Sequence, residues 1–170
     1  MLRTLLLLAL SAFLFSGCKD PAKAAKEQRK AALIALMHGL TEDADLRAAI
    51  EKGRATSGEF MAALQKPAVN QSHFMVRKIF RAKDAKQQIL WIKDVTFDGT
   101  LLHGKVDDNT AVPGSGLAKD GLVSFPPDEI CDWMFNEDGK AVGGFMLRAL
   151  KKKMTEDEWA KIAAQITFKE

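Results

Sequence analysis

The sequence is poor in cysteine. Only two cysteines occur in 170 residues, Cys18 and Cys131. Cys18 belongs to the N-terminal segment described below, which leaves Cys131 without a partner in the chain. The fold therefore cannot depend on a disulfide, even in an oxidising compartment.

The sequence also lacks a dominant charge and any cluster of metal ligands. It has 25 Lys and Arg against 22 Asp and Glu, for a formal net charge of +3. The basic residues are spread along the chain, so nothing favours nucleic acid as a partner. His38, His73 and His103 share no i,i+2 or i,i+4 spacing and stand near no Cys/His cluster, so we predict neither a metal site nor a cofactor.

Long apolar runs are absent after the first residues. The chain opens with MLRTLLLLALSAFLFSGC, in which Arg3 precedes an uncharged apolar run and Ser16-Gly17 supplies small residues before Cys18. Such an arrangement is typical of a secretory signal peptide, and the run is too short to span a bilayer comfortably. Removing residues 1–17 takes away Arg3 and lowers the formal net charge to +2.

The small residues ending at Cys18 resemble the bacterial lipobox, with Phe15 where Leu is usual. The resemblance implies cleavage before Cys18, diacylation of its thiol with fatty acids such as palmitate, and acylation of the new amino terminus. Several acyl chains give stable membrane anchoring. Lys19 rather than Asp follows, which resembles an outer-membrane sorting signal. We expect a lipid-anchored envelope protein facing the periplasm, in the outer rather than the inner membrane; the alternative is an ordinary signal peptide with a cysteine nearby by chance.

The rest of the chain divides into a tether and one domain. Residues 18–40 predict a lipidated tether that becomes helical and docks through AALIALM. Residues 41–170 form the domain, which begins with two helices. Thr41 is placed to cap the first, which Gly53 ends, and Thr56 or Ser57 begins the second, which Pro67 stops.

The middle of the domain changes to strand periodicity. Two helices are predicted after it, one over Ala141–Lys151 and one beginning at a Thr155–Glu158 capping box. Five strands are predicted before them: His73–Phe80, Gln88–Val95, Leu101–Val106, Leu122–Phe125 and Cys131–Phe135. The pattern predicts an α+β fold, with an antiparallel sheet of about five strands packed with N-terminal and C-terminal helices.

Three segments of the domain resemble one bacterial family. They are ATSGEFMAALQKPAVNQSHFMVRKIF, QQILWIKDVTFDGTLLHGKV and SFPPDEICDWMFNEDGKAVGGFMLRALKKK. Their order, with Asp-Trp and Gly-Gly followed by Arg, resembles the YegJ-like group of unknown function over about residues 54–152. Met146 stands where that group tends to have Thr. The resemblance implies no established activity and no catalytic residues.

The family-like elements form the main candidate cluster, which consists of Asp132, Trp133, Gly143, Gly144 and Arg148. Arg148 lies within about a helical turn of the glycine pair and is placed to form a bidentate pair with Asp132. Trp133 is expected to anchor the core while its indole N–H finds a partner. The cluster is either a strand-to-helix junction or a ligand pocket, and the residue types alone favour the junction.

Two other features could carry chemistry. Cys131 would need a base or a positive environment to become a thiolate, but its sequence neighbours are Asp128, Glu129 and Asp132. We interpret it as a half-buried strand residue. Adjacent acids occur at Asp107-Asp108 and Asp128-Glu129, and acids in loops are usually solvated.

Taken together, these patterns predict an uncharacterised cell-envelope lipoprotein that acts as a non-enzymatic binding or envelope-maintenance module. Membrane contact through Cys18 is predicted, and the identity of a protein partner is left open. One alternative is an immunity-like protein that neutralises a toxin. Another is a hydrolase that uses Cys131.

Overall fold

The structure is a computed structural model that describes residue 23 and residues 43–81, 87–107 and 117–170. The predicted signal peptide, Cys18, His38 and the docking end of the predicted tether lie outside the described residues. No helix within the described ranges is long and apolar enough to cross a membrane.

Between residues 43 and 170, four α-helices are described, and they flank the strands in sequence. They are α1 (Ala44–Ala55), α2 (Ser57–Gln65), α3 (Phe145–Lys151) and α4 (Glu156–Ala163). A carboxylate oxygen of Asp43 accepts from the Leu46 amide at 3.0 Å and caps α1. The predicted capping box at α4 is confirmed, since Thr155 and Glu158 cap each other's amides.

In the part of the chain that the structure describes, six strands form one sheet. In chain order they are β1 (Gln71–Arg81), β2 (Gln87–Phe97), β3 (Leu102–Val106), β4 (Leu122–Phe125), β5 (Ile130–Glu137) and β6 (Lys140–Gly143). The spatial order is β4-β3-β2-β1-β5-β6, and every neighbouring pair is antiparallel. The α+β prediction is confirmed, with six strands rather than about five.

The additional strand, β6, forms a hairpin with β5 that was not predicted. Asp138 and Gly139 both have positive φ, 53° and 77°, as a two-residue turn of type I′ requires. The chain therefore reverses directly into β6, and the predicted helix over Ala141–Lys151 begins only at Phe145. The first residues assigned to that helix are strand.

Gly53 also differs from its prediction. It lies inside α1 rather than ending it, and it is buried. A Cβ at this position would stand 2.6 Å from the carbonyl oxygen of Cys131. The residue is small because α1 packs directly on the backbone of β5.

The two sheet faces carry separate apolar clusters. On one face, α2 contributes Phe60, which packs with a cluster that includes Val76, Ile92 and Trp133. On the other face, α1 and α3 contribute a cluster that includes Leu46, Ile50, Met146 and Leu150. Side chains alternate between faces along each strand, so β5 supplies both clusters.

Candidate functional site

The candidate cluster is built around a β-bulge in β5. Asp132 is opposite Arg77 of β1, but Lys78 is opposite Ile130, so one residue of β5 is extra. A bulge bends its strand and changes the direction of nearby side chains. Here Cys131 reaches the α1/α3 cluster, and Asp132 reaches the start of α3.

Asp132 caps a helix that lies thirteen residues further along the chain. Its Oδ1 accepts from the amides of Phe145 and Trp133, at 3.0 and 2.9 Å, and its Oδ2 accepts from Met146 at 3.0 Å. Gly144, at the N-cap position of α3, has no side chain to do this. A carboxylate from the neighbouring strand therefore satisfies the first amides of α3 and interacts favourably with its dipole.

The electrostatics of Asp132 are dominated by burial. The side chain is completely buried, and so is that of Arg77 on β1. Burial raises the pKa of Asp132 to about 6, although the charge of Arg77 and the three amides act in the opposite direction. The guanidinium of Arg77 also lies 4.5 Å from the centre of the Trp91 ring.

Gly143 and Gly144 make the turn from β6 into α3. Their φ angles are +84° and +67°, a region that favours glycine. A Cβ on Gly143 would stand 2.3 Å from the carbonyl oxygen of Trp133, and one on Gly144 would stand 2.9 Å from the Phe168 ring. Both glycines are required by backbone conformation and by close packing.

Arg148 does not form the predicted bidentate pair with Asp132. Within the described residues its Nε donates to the carbonyl oxygen of Gly143 and its Nη2 to that of Lys169, both at 2.9 Å. Its guanidinium lies 4.4 Å from the centre of the Phe168 ring. The prediction was wrong because the amides of α3 occupy the Asp132 carboxylate, and Arg148 instead ties the turn to the C-terminal segment.

Trp133 anchors the other side of the junction, and its predicted N–H partner is confirmed. The side chain is 1% exposed and packs near the rings of Phe60 and Phe135. Its indole N–H lies 3.1 Å from the carbonyl oxygen of Gly53 and 3.2 Å from Thr56 Oγ1. Trp133 thus connects β5 to the end of α1.

Cys131 is completely buried rather than half-buried as predicted. Its thiol donates to the carbonyl oxygen of Arg77 at 3.2 Å. Burial first, and then the charge of Asp132, raises the pKa of the thiol to about 12. A group of this kind stays protonated near neutral pH and is unsuited to nucleophilic attack.

The adjacent acids that the structure describes lie at the surface, where they pair with lysines. Lys93 bridges Asp107 and Asp120, at 3.2 and 2.9 Å, and Glu129 pairs with Lys78; Asp108 lies outside the described residues. No group of three His, Cys, Asp or Glu in the described ranges could hold a metal ion.

None of three cavities beside the described residues is lined by Asp132, Trp133 or Arg148. They have volumes of about 270, 530 and 450 Å³ and lie beside β1/β5, beside Lys78 and beside the end of β2. The five residues of the predicted cluster thus lie together at the β5–α3 junction. Arg148 and Asp132 do not contact each other there but bind different partners.

Two sets of polar residues in the structure were not predicted from the sequence. One is Arg77, which is buried between Trp91 and Asp132 in β1; Lys78 follows it directly in the same strand, so the residue types gave no signal that Arg77 would be buried. The other is Asp98, His103 and Ser124, which are hydrogen-bonded in a row. The strand register that joins His103 to Ser124 could not be read from one strand alone.

Comparison with known proteins places most of the described chain in one family. Residues 43–169 match the family described as "Uncharacterized protein conserved in bacteria (DUF2314)", and the chain belongs to that family. A stretch of 71 residues, 41% of the chain, is 37% identical to a putative ankyrin repeat protein of Neisseria meningitidis serogroup B. That match spans 27% of the relative's length. No solved structure matches the chain.

Proposed function

We propose that this DUF2314 protein is a lipid-anchored component of the bacterial cell envelope that acts by binding a protein partner. In this proposal Cys18 carries the acyl chains, and the domain faces the periplasm from the outer membrane rather than the inner one. We also assign the chain to the YegJ-like group, on the three segments quoted above.

The lipobox-like ending of the signal peptide supports the anchor. The apolar run ends in Ser16-Gly17-Cys18, and Lys19 follows in place of the Asp associated with retention in the inner membrane. Acyl chains on one residue are sufficient for stable attachment, so no membrane-spanning segment is required.

A binding role rests mainly on the way the Asp132 cluster uses its polar groups. The Asp132 carboxylate accepts from three amides, and the Arg148 guanidinium donates to carbonyl oxygens. Cys131 is buried with a raised thiol pKa. The residues that most resemble an active site in the sequence therefore support the fold, which argues against catalysis at this place.

The likeness to part of a putative ankyrin repeat protein also supports binding. Ankyrin repeats stack into extended concave surfaces that bind other proteins. A domain related to a segment of such a protein is suited to an interaction role.

The anchor can be tested by metabolic labelling with an alkyne analogue of palmitate in a bacterial host. We expect the full chain to incorporate the label and to sediment with membranes, and the Cys18→Ala variant to do neither. Cys131→Ala is the matched control, because it removes the other cysteine and should leave labelling intact. Labelled Cys18→Ala protein, or wild-type protein recovered in the soluble periplasm, would contradict the proposal.

Binding can be tested separately by photocrosslinking in living cells. A crosslinking residue at Leu122, which is 81% exposed, is compared with one at the open turn residue Gly139. We expect discrete adducts that depend on position. A toxin in the adduct, together with protection of cells from that toxin, would identify the immunity-like role; the absence of adducts at every exposed site sampled would overturn the binding role.

A further inference from the structure

Three polar side chains at the β3/β4 end of the sheet are hydrogen-bonded in the order expected of an activated serine. Ser124 Oγ lies 2.8 Å from His103 Nδ1, and His103 Nε2 lies 2.8 Å from Asp98 Oδ2. The three residues lie far from the Asp132 cluster in the sheet order, with β2 and β1 between them and β5.

The fold places the three residues through ordinary strand pairing. His103 of β3 is directly opposite Ser124 of β4. Their neighbours Leu102 and Phe125 belong to the apolar cluster that contains Phe60 of α2. Because side chains alternate along a strand, His103 and Ser124 lie on the other face of the sheet. His103 and Asp98 keep 40% and 50% of their side-chain surface exposed, so a reactant can approach.

Asp98 is held as an oriented carboxylate. Its Oδ1 accepts from the amides of Thr100 and Leu101, at 2.8 and 2.7 Å, which leaves Oδ2 for His103. The Leu101 amide, the His103 hydrogen bond and the Thr100 amide lower the pKa of Asp98 to about 2. The carboxylate is therefore ionised at neutral pH and can only accept hydrogen bonds.

The tautomer of His103 follows from that arrangement. An ionised carboxylate at Nε2 requires the proton of a neutral imidazole to be on Nε2. Nδ1 then offers a lone pair, and the hydroxyl of Ser124 must donate to it. The serine proton thus points at a base that a carboxylate orients, as in the Ser-His-Asp triad, with the roles of the two ring nitrogens exchanged.

We propose that Ser124, His103 and Asp98 form a base-activated serine that reacts with carboxylic esters at the exposed face of β3 and β4. Ser124 Oγ bonds to the acyl carbon, and its proton passes to His103 Nδ1. The ester C–O bond breaks, and the departing alkoxide takes the proton from Nδ1. Water then attacks the acyl-serine by the same route, which releases the carboxylic acid and restores the serine.

The chain supplies a matched control in a second serine–histidine pair. Ser72 Oγ lies 3.0 Å from His73 Nδ1, and both residues are exposed. No carboxylate of the described residues accepts from the other ring nitrogen of His73. The two pairs differ in the feature that the proposal requires, an oriented aspartate.

The experiment treats the full chain with a fluorophosphonate probe and maps the labelled peptides by mass spectrometry. In this reaction Oγ bonds to phosphorus, the P–F bond breaks, fluoride leaves and His103 takes the proton. We expect Ser124 to be labelled about 100-fold faster than Ser72, the lower end of what a positioned general base contributes. Hydrolysis of p-nitrophenyl acetate should be lost in Ser124→Ala and retained in Ser72→Ala.

Two variants test whether Asp98 and His103 activate Ser124. Asp98→Asn and His103→Gln should each slow labelling of Ser124 by about 10-fold or more, while thermal unfolding reports whether the sheet is intact. Equal labelling of Ser124 and Ser72 in the wild-type chain would overturn the inference without any variant, and so would Ser124 labelling that is unchanged in Asp98→Asn. The result is independent of Cys18 acylation, so this inference and the proposed anchor can fail separately.

Discussion

Asp132 and Asp98 bind backbone amides in similar ways but have opposite electrostatics. Asp132 accepts from three amides and is completely buried, and its pKa is raised to about 6. Asp98 accepts from two amides at an exposed turn, and its pKa is lowered to about 2. Desolvation outweighs three hydrogen bonds and a nearby arginine in the first case, and is a minor influence in the second.

The difference in burial suits the two carboxylates to different roles, Asp132 to stabilising the fold and Asp98 to orienting a reactive group. At the β5–α3 junction, the charge of Asp132 is enclosed by the elements it joins. At the β2–β3 turn, the charge of Asp98 stays in contact with solvent and with the ring of His103. The Asp132 cluster, which most resembles an active site in the sequence, therefore stabilises the fold. The exposed, hydrogen-bonded polar side chains of Asp98, His103 and Ser124 lie elsewhere in the sheet.

The two sites should differ most in how much stability is lost when each carboxylate is removed. We expect Asp132→Ala to lower the free energy of unfolding by roughly 3–5 kcal/mol, because three amides lose their acceptor and the buried charge of Arg77 loses its counterpart. Urea unfolding followed by circular dichroism measures this change. Asp98→Ala is the control and should lower Tm by no more than about 5 °C. A decrease in Tm in Asp98→Ala as large as the decrease in Asp132→Ala would contradict the distinction between the two sites.

The glycine turn should give the next largest effect. In Gly143→Ala the new Cβ meets the Trp133 carbonyl and the backbone keeps a positive φ, so we expect a loss of about 3 kcal/mol. Gly139→Ala shares the positive φ but has no atom within 4 Å of the Cβ, so a loss of about 1 kcal/mol is expected. Similar losses would mean that conformation, rather than close packing, explains both glycines.

A pH titration tests the comparison without changing a residue. Carboxyl ¹³C shifts should give a midpoint near pH 6 for Asp132 and near pH 2 for Asp98. The pH-dependent part of the stability contributed by Asp132 is complete below pH 3.8 and is lost as pH rises through about 6. The pH-dependent part contributed by Asp98 is present above pH 3.8 and is lost as pH falls through about 2. Midpoints in the reverse order would refute the assignment of burial and exposure.

Local patterns in the sequence predicted the elements of the fold well. The capping box at Thr155, the stop at Pro67 and the strand periodicity of β1 to β5 are all determined by neighbouring residues. The short β6 was missed because a four-residue strand has almost no periodicity of its own. The Asp138-Gly139 dipeptide was the available signal.

The sequence predicted which residues of the candidate site lie together, but not which partners they contact. Asp132, Trp133 and the two glycines do meet at one junction, as their closeness in the sequence suggested. The partner of Asp132 was not predictable, because the bulge at Cys131 and the entry of Arg77 from β1 depend on register between distant strands. The same holds for His103 and Ser124.

The central position of β1 has a consequence for the order of folding. Its pairing with β2 is local, but its pairing with β5 must wait for a strand more than fifty residues later, and the Trp133–Gly53 hydrogen bond spans 80 residues. Closing such long loops is the slow part of folding for sheets of this kind. We therefore expect the β1–β2–β3 meander to form first and the arrival of β5, which buries Arg77 and Asp132 together, to be the step that limits the rate.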